Sequence, residues 1–120
     1  MITLYAACLR RLGLSQEEAE TVHARFGQAV RRDTINSWSS GRREPPPGAF
    51  EDLRAYARVL NAAKGRPADL AEALYLAENA SASVADRLGL AGVNSLLVAL
   101  AAPLLAQLRP LRIDHHGWQV

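Results

Sequence analysis

At 120 residues and 13.0 kDa the chain is sized for one domain, or a small domain with an appendage. Its 49% hydrophobic and 6% aromatic content excludes a disordered chain, and 14 basic against 12 acidic side chains exclude a wholly basic, histone-like one. The charge is unevenly placed: residues 1–66 hold eleven basic and seven acidic side chains, whereas residues 67–120 hold three and five. The N-terminal part, at +4, is suited to face an anion, and the C-terminal part, at −2, is suited to another task. Lys64 is the only lysine; every other basic residue is arginine. The single cysteine, Cys8, excludes an internal disulfide and a zinc pattern, which fits a reducing, cytoplasmic setting. No secretion signal is read at the N-terminus.

Apolar spacing of three to four residues almost throughout predicts an all-α fold. The first helix is expected over residues 3–12, capped by Thr3, stopped by Gly13, with Leu4, Ala7, Cys8 and Leu12 as its inner stripe. Ser15-Gln16-Glu17-Glu18 forms a capping box that starts a second helix, with Ala19, Val22, Phe26 and Ala29 at helical spacing and Gly27 near its end. Val30-Arg31-Arg32 reads as a turn, and a third helix follows over residues 32–40, with Ile35 and Trp38 on one side. The run from Arg42 through Pro45, Pro46 and Pro47 to Gly48 reads as non-helical. A fourth helix is expected over 49–63, with Phe50, Leu53, Ala57 and Leu60 inward.

Gly65-Arg66-Pro67 marks a boundary between an N-terminal unit, 1–65, and a C-terminal helical segment, 66–120. Helices are expected over 68–79, 83–88 and 94–108. Residues 88–108 carry no charge, but Pro103 and the polar flanks argue against a membrane span. A helix apolar on all faces needs cover on all faces, and a short chain has little to spare. The preferred reading is therefore a homodimer contact through Leu96, Leu97, Leu100, Leu104, Leu105 and Leu108, with Trp118 as an anchor of a terminal strand or arm. Asp114-His115-His116 finds no matching ligand pair elsewhere, so no metal is expected, and no cofactor-binding motif is present. No nucleophile–base pair, glycine-rich phosphate loop or paired carboxylate stands out, so the chain does not read as an enzyme.

The strongest signal lies between residues 14 and 47. With Ile35 and Trp38 inward, Asp33, Asn36, Ser37 and Ser40 point outward at about 100° per residue. That face is small and polar, so the helix backbone can approach a major groove. Asn36 can pair with adenine N6 and N7, while Arg31 and Arg32 at the helix entrance can fork onto guanine or bind phosphate. Arg42 and Arg43, on a proline-stiffened loop, suit backbone phosphates. Asp33 reads first as a local ion-pair partner, with cytosine contact the sharper alternative, and Trp38 reads as core.

Leu14-Ser15-Gln16-Glu17-Glu18-Ala19 and Thr34-Ile35-Asn36-Ser37-Trp38-Ser39-Ser40-Gly41-Arg42-Arg43-Glu44-Pro45 resemble the helix-turn-helix of the lambda-repressor-like superfamily, the Cro and XRE-type regulators. The resemblance covers roughly the first half of the chain, and its finer likeness is to small prophage and anti-CRISPR-associated repressors. The stretch from Gln16 to Trp38 is about five residues longer than is usual there, which lengthens the second helix or the turn. The resemblance implies that Gln16 grips a phosphate and braces the recognition helix, and that Thr34 belongs to the DNA-facing set. It further implies a homodimeric repressor on double-stranded DNA with an inverted-repeat operator, autoregulating a phage or mobile-element operon. RNA binding by the same basic face stays open. The competing reading is a protein-interaction module, or an antitoxin-type adaptor, that binds its partner through the C-terminal half.

Overall fold

The computed structural model describes residues 2–66, 78–107, 112–114 and 117–119, and the side-chain surroundings of residues 2–66 and 82–101. Among the described residues, six helices carry the fold: α1 (Leu4–Leu12), α2 (Gln16–Phe26), α3 (Arg32–Ser40), α4 (Pro47–Lys64), α5 (Glu78–Arg87) and α6 (Val93–Gln107). A small antiparallel hairpin follows, β1 (Arg112–Asp114) with β2 (Gly117–Gln119), in which Ile113 faces Trp118 in register. The all-α reading holds for the architecture, and the terminal strand reading for its last residues. Most of the helix expected over 68–79 lies outside the described residues.

Local chemistry sets the helix ends. The Thr3 hydroxyl accepts the Ala6 N–H at 3.1 Å, and Gly13, at φ 69°, ends α1 in the left-handed conformation. The Leu14 N–H then donates to the Leu9 carbonyl at 2.8 Å, satisfying an end-of-helix acceptor. The capping box of α2 is complete: Glu18 N–H donates to Ser15 Oγ at 3.1 Å, and Ser15 N–H to Glu18 Oε1 at 2.9 Å. Residues 27–31 link α2 to α3, and Ala29, expected at helical spacing on the second helix, lies exposed in this link because the helix ends at Phe26. Helix α4 begins two residues earlier than expected, because Pro47 occupies the first helical position, where a missing N–H costs nothing. Helix α5 is longer than the expected 83–88, and α6 begins at Val93, one residue ahead of the expected 94–108.

The core draws Tyr5, Leu9 and Leu12 from α1, Ala19, Val22 and His23 from α2, Ile35 and Trp38 from α3, and Leu53, Tyr56 and Leu60 from α4. The inner stripe of α1 therefore differs from expectation: Leu4 is 71% exposed and Cys8 half-buried, whereas Tyr5 is 1% exposed. Both stripes are apolar enough to serve, but Tyr5 has a buried hydrogen-bond partner waiting for its hydroxyl. The expectation for α6 also needs correction. Leu96 and Leu100 are buried in this chain's own core and are not free to meet a second copy, while Leu97 is 55% exposed. Leu104, Leu105, Leu108 and Trp118 lie outside the described side chains.

One core therefore runs across the expected boundary at residue 66, with Val84, Leu88, Leu90, Leu96 and Leu100 joining the N-terminal residues. A buried polar chain secures it. Tyr56 Oη accepts the Ala91 N–H at 2.8 Å and donates to Ser95 Oγ at 2.7 Å, and Ser95 Oγ donates to the Leu12 carbonyl at 2.7 Å. Arg25 adds an outer brace, donating to the Gly89 carbonyl at 2.7 Å while stacked over the Phe26 ring. No described helix is long and apolar enough to cross a membrane.

Candidate nucleic-acid interface

Helix α3 is amphipathic by position. Ile35 and Trp38 are buried, and Asp33, Asn36 and Ser40 are exposed, with Thr34 and Ser37 half-buried at the margins. Gln16, the first residue of α2, reaches across to this face: its Nε2 lies 3.4 Å from Asn36 Oδ1. The contact is long for a hydrogen bond and weak, but it brings together the two residues singled out for base and phosphate contact. It also holds the Asn36 amide oxygen toward α2 and leaves its NH₂ group as a free donor.

The basic residues differ in their freedom. Arg31 sits at the N-cap of α3 with its side chain exposed. Arg32 is engaged sideways, its Nε 3.3 Å from Glu20 Oε1 and its Nη2 3.4 Å from Glu20 Oε2. Both partners are solvated, so the pair contributes little to stability; its effect is to orient Arg32 along α2. Asp33 makes no ion pair among the described residues, which sets aside its reading as a local ion-pair partner. The serines are turned onto their own helix: Ser37 Oγ donates to the Asp33 carbonyl at 3.0 Å, and Ser40 Oγ to the Ser37 carbonyl at 3.3 Å. Gly41, at φ 86°, stops α3, and Arg43 N–H returns to the Ser37 carbonyl at 3.2 Å. Arg42 Nε donates to Ser40 Oγ at 3.2 Å, leaving the rest of its guanidinium outward. The loop bearing Arg42 and Arg43 is thus folded against the end of α3.

The back of α3 rests on a buried network. His23 is 0% exposed; its Nε2 lies 2.7 Å from Tyr5 Oη and its Nδ1 2.8 Å from Asp52 Oδ2. With the imidazole proton on Nδ1, that N–H donates to Asp52 and Nε2 accepts the Tyr5 hydroxyl, so both ring nitrogens are satisfied. Trp38 meets Tyr5 edge-on at 5.4 Å and His23 at 5.7 Å. Thr3 Oγ1 donates to the Ser39 carbonyl at 2.8 Å, tying the start of α1 to the end of α3. The network therefore draws one residue from each of α1, α2 and α4 to seat the third helix. His23 lies on the apolar side of α2 with Ala19 and Val22, a signal of burial; its partners, 18 and 29 residues away, carry none.

Burial, then the nearby Asp52 carboxylate and Cys8, pushes the Tyr5 phenol well above the ordinary tyrosine range. Burial also raises Tyr56, opposed by its hydrogen bonds with Ala91 and Ser95. The unfolded chain releases tyrosine protons near pH 10 and the native chain keeps these two. Their contribution to stability is fully present below about pH 10 and is lost as pH rises further. Urea midpoints are therefore expected to fall between about pH 9 and about pH 11; an unchanged midpoint would contradict the buried placement of both phenols.

Among the described residues no cluster of three or more side chains could hold a metal ion, and His115 and His116 lie outside them. No protein-family model, curated protein or solved structure matches the chain.

Proposed function

We propose that the protein is a sequence-specific DNA-binding transcriptional repressor of the lambda-repressor-like, helix-turn-helix kind, acting as a homodimer. The observation that carries this reading is the Gln16–Asn36 contact, which sets the N-terminus of α2 beside the exposed polar face of α3. In this reading α3 enters a major groove and Asn36 donates to a base edge. Free amides at the start of α2, with Gln16, take a phosphate. Arg31, Arg42 and Arg43 neutralise others. A small reading head covers few base pairs, so two copies on an inverted repeat, with half-sites about 34 Å apart, supply the specificity. The exposed Leu97 on α6 supports contact between copies. Repression then follows from occupying a promoter, and autoregulation of a mobile-element operon extends the same reading.

Selection from a random duplex library tests this, followed by anisotropy on the enriched site. An inverted repeat should emerge, with affinity falling steeply between about 50 and 200 mM salt. Asn36→Ala should cost about 1–3 kcal/mol on the selected site and little on random DNA. Arg42→Ala should weaken both and flatten the salt slope. No enriched motif, with a flat salt response on all DNA, would favour the adaptor reading instead.

A further inference from the structure

Of the α1 stripe that the sequence marks as inward, Leu12 is buried, Leu4 is exposed, and Ala7 and Cys8 are half-buried at the surface. Ala7 and Cys8 form one wall of a groove of about 460 Å³, and Phe50 and Ala57 of α4 form the other, with Leu12 and Leu53 at its floor. The groove continues at both ends. It shares Phe50 and Arg54 with a depression beside the proline loop, and Arg11, Leu12 and Ala57 with one that reaches Val98 of α6. From Phe50 to Lys64 this track follows α4 for about 21 Å, or about four helical turns.

Its rim is basic. Arg10, Arg11, Arg54 and Lys64 line it, and none forms an ion pair among the described residues. The bordering acids, Glu44 and Glu51, stand at the proline end alone.

We propose that the α1–α4 groove docks an acidic amphipathic helix of a partner protein. The apolar floor takes one face of that helix and the four cations take carboxylates along its edges. A second copy of this chain fits poorly, because two-fold pairing would bring the same cations face to face. Addition of a strand is not available, since both walls are helices whose backbone groups are already bonded within the helix. The proposal is independent of the role of α3.

The test uses the full chain and two fluorescein-labelled helical peptides of about 16 residues with the same leucine stripe. One carries glutamate on its flanks, the other lysine. The glutamate peptide is expected to bind, more weakly as salt rises, and the lysine peptide not to bind. Arg11→Glu with Arg54→Glu, both exposed and so compatible with folding, should weaken the glutamate peptide about tenfold or more. Circular dichroism checks that this variant stays folded. Equal binding of both peptides, binding of neither, or a variant that binds like the parent overturns the proposal. So does a dimer, sized by light scattering, that Arg54→Glu disperses, because a second copy then occupies the groove. Loss of DNA salt dependence in the variant with peptide binding intact also overturns it, assigning these cations to phosphates.

Discussion

His23→Ala is expected to destabilise the fold by about 3–5 kcal/mol, a large share of the stability of a small domain. The change opens a cavity where a fully buried ring stood, and it strands two polar groups at once. Tyr5 Oη loses the acceptor 2.7 Å away, and the Asp52 carboxylate loses the donor at 2.8 Å. Each buried group left without a partner costs about 1–3 kcal/mol. Asp52 retains some relief, since its side chain is 14% exposed. Tyr5→Phe keeps the packing and strands only Nε2, so a smaller loss of about 1–3 kcal/mol is expected. Urea denaturation followed by circular dichroism measures both. A His23→Ala protein as stable as the parent would mean that this network does not support the core. The same change removes the ring against which Trp38 packs; under the proposed DNA-binding function, affinity of any folded fraction for the selected site should fall as well.

The second large effect is expected at Gly13, and it comes from backbone rather than side chains. Gly13 adopts φ 69°, and a Cβ there would lie 2.7 Å from the Asn94 carbonyl oxygen and 2.9 Å from the Ser95 nitrogen. The left-handed conformation alone costs an alanine about 1–2 kcal/mol. The contact adds about 1–3 kcal/mol, because a helix N-terminus cannot rotate aside as a side chain can. Gly13→Ala should therefore lose about 2–5 kcal/mol and loosen α6 from α1. Gly48→Ala is the contrasting variant: nothing lies within 4 Å of its added methyl group and its φ is not positive, so it should hold or raise stability. A thermal melt of the two variants beside the parent decides the matter. Similar behaviour of the pair would refute the tight seating of α6 on the end of α1.

The helix ends were legible because their causes are local. Thr3, Gly13, Ser15 with Glu18, and Gly41 act within a few residues of the groups they cap or exclude, whereas Pro47, read as non-helical, opens α4. The inward pair Ile35 and Trp38 was legible for the same reason, and with it the polar outward face of α3. The choice between the two apolar stripes of α1 was not. Spacing favours neither, and the decision fell to a histidine on another helix that accepts the Tyr5 hydroxyl. The inward turn of Leu96 and Leu100 was hidden likewise, since α6 has no charged residue to mark its wet side. Arg32 looked as free as Arg31 until the fold set Glu20 beside it.

By itself, then, the sequence determined an all-α chain, the limits of α1, α3 and α4 to within two residues, the start of α2, and which side of α3 is polar. Those properties depend on hydrogen bonds and side-chain periodicity within one or two turns of backbone. The tertiary structure alone decided that residues on both sides of position 66 share one core, and that Tyr5, His23 and Asp52 meet behind Trp38. It alone exposed Leu4 and left Ala7 and Cys8 half-buried in a groove beside Arg11 and Arg54. Partners far apart along the chain set each of these, and periodicity cannot choose between two apolar faces when the deciding group lies on another helix.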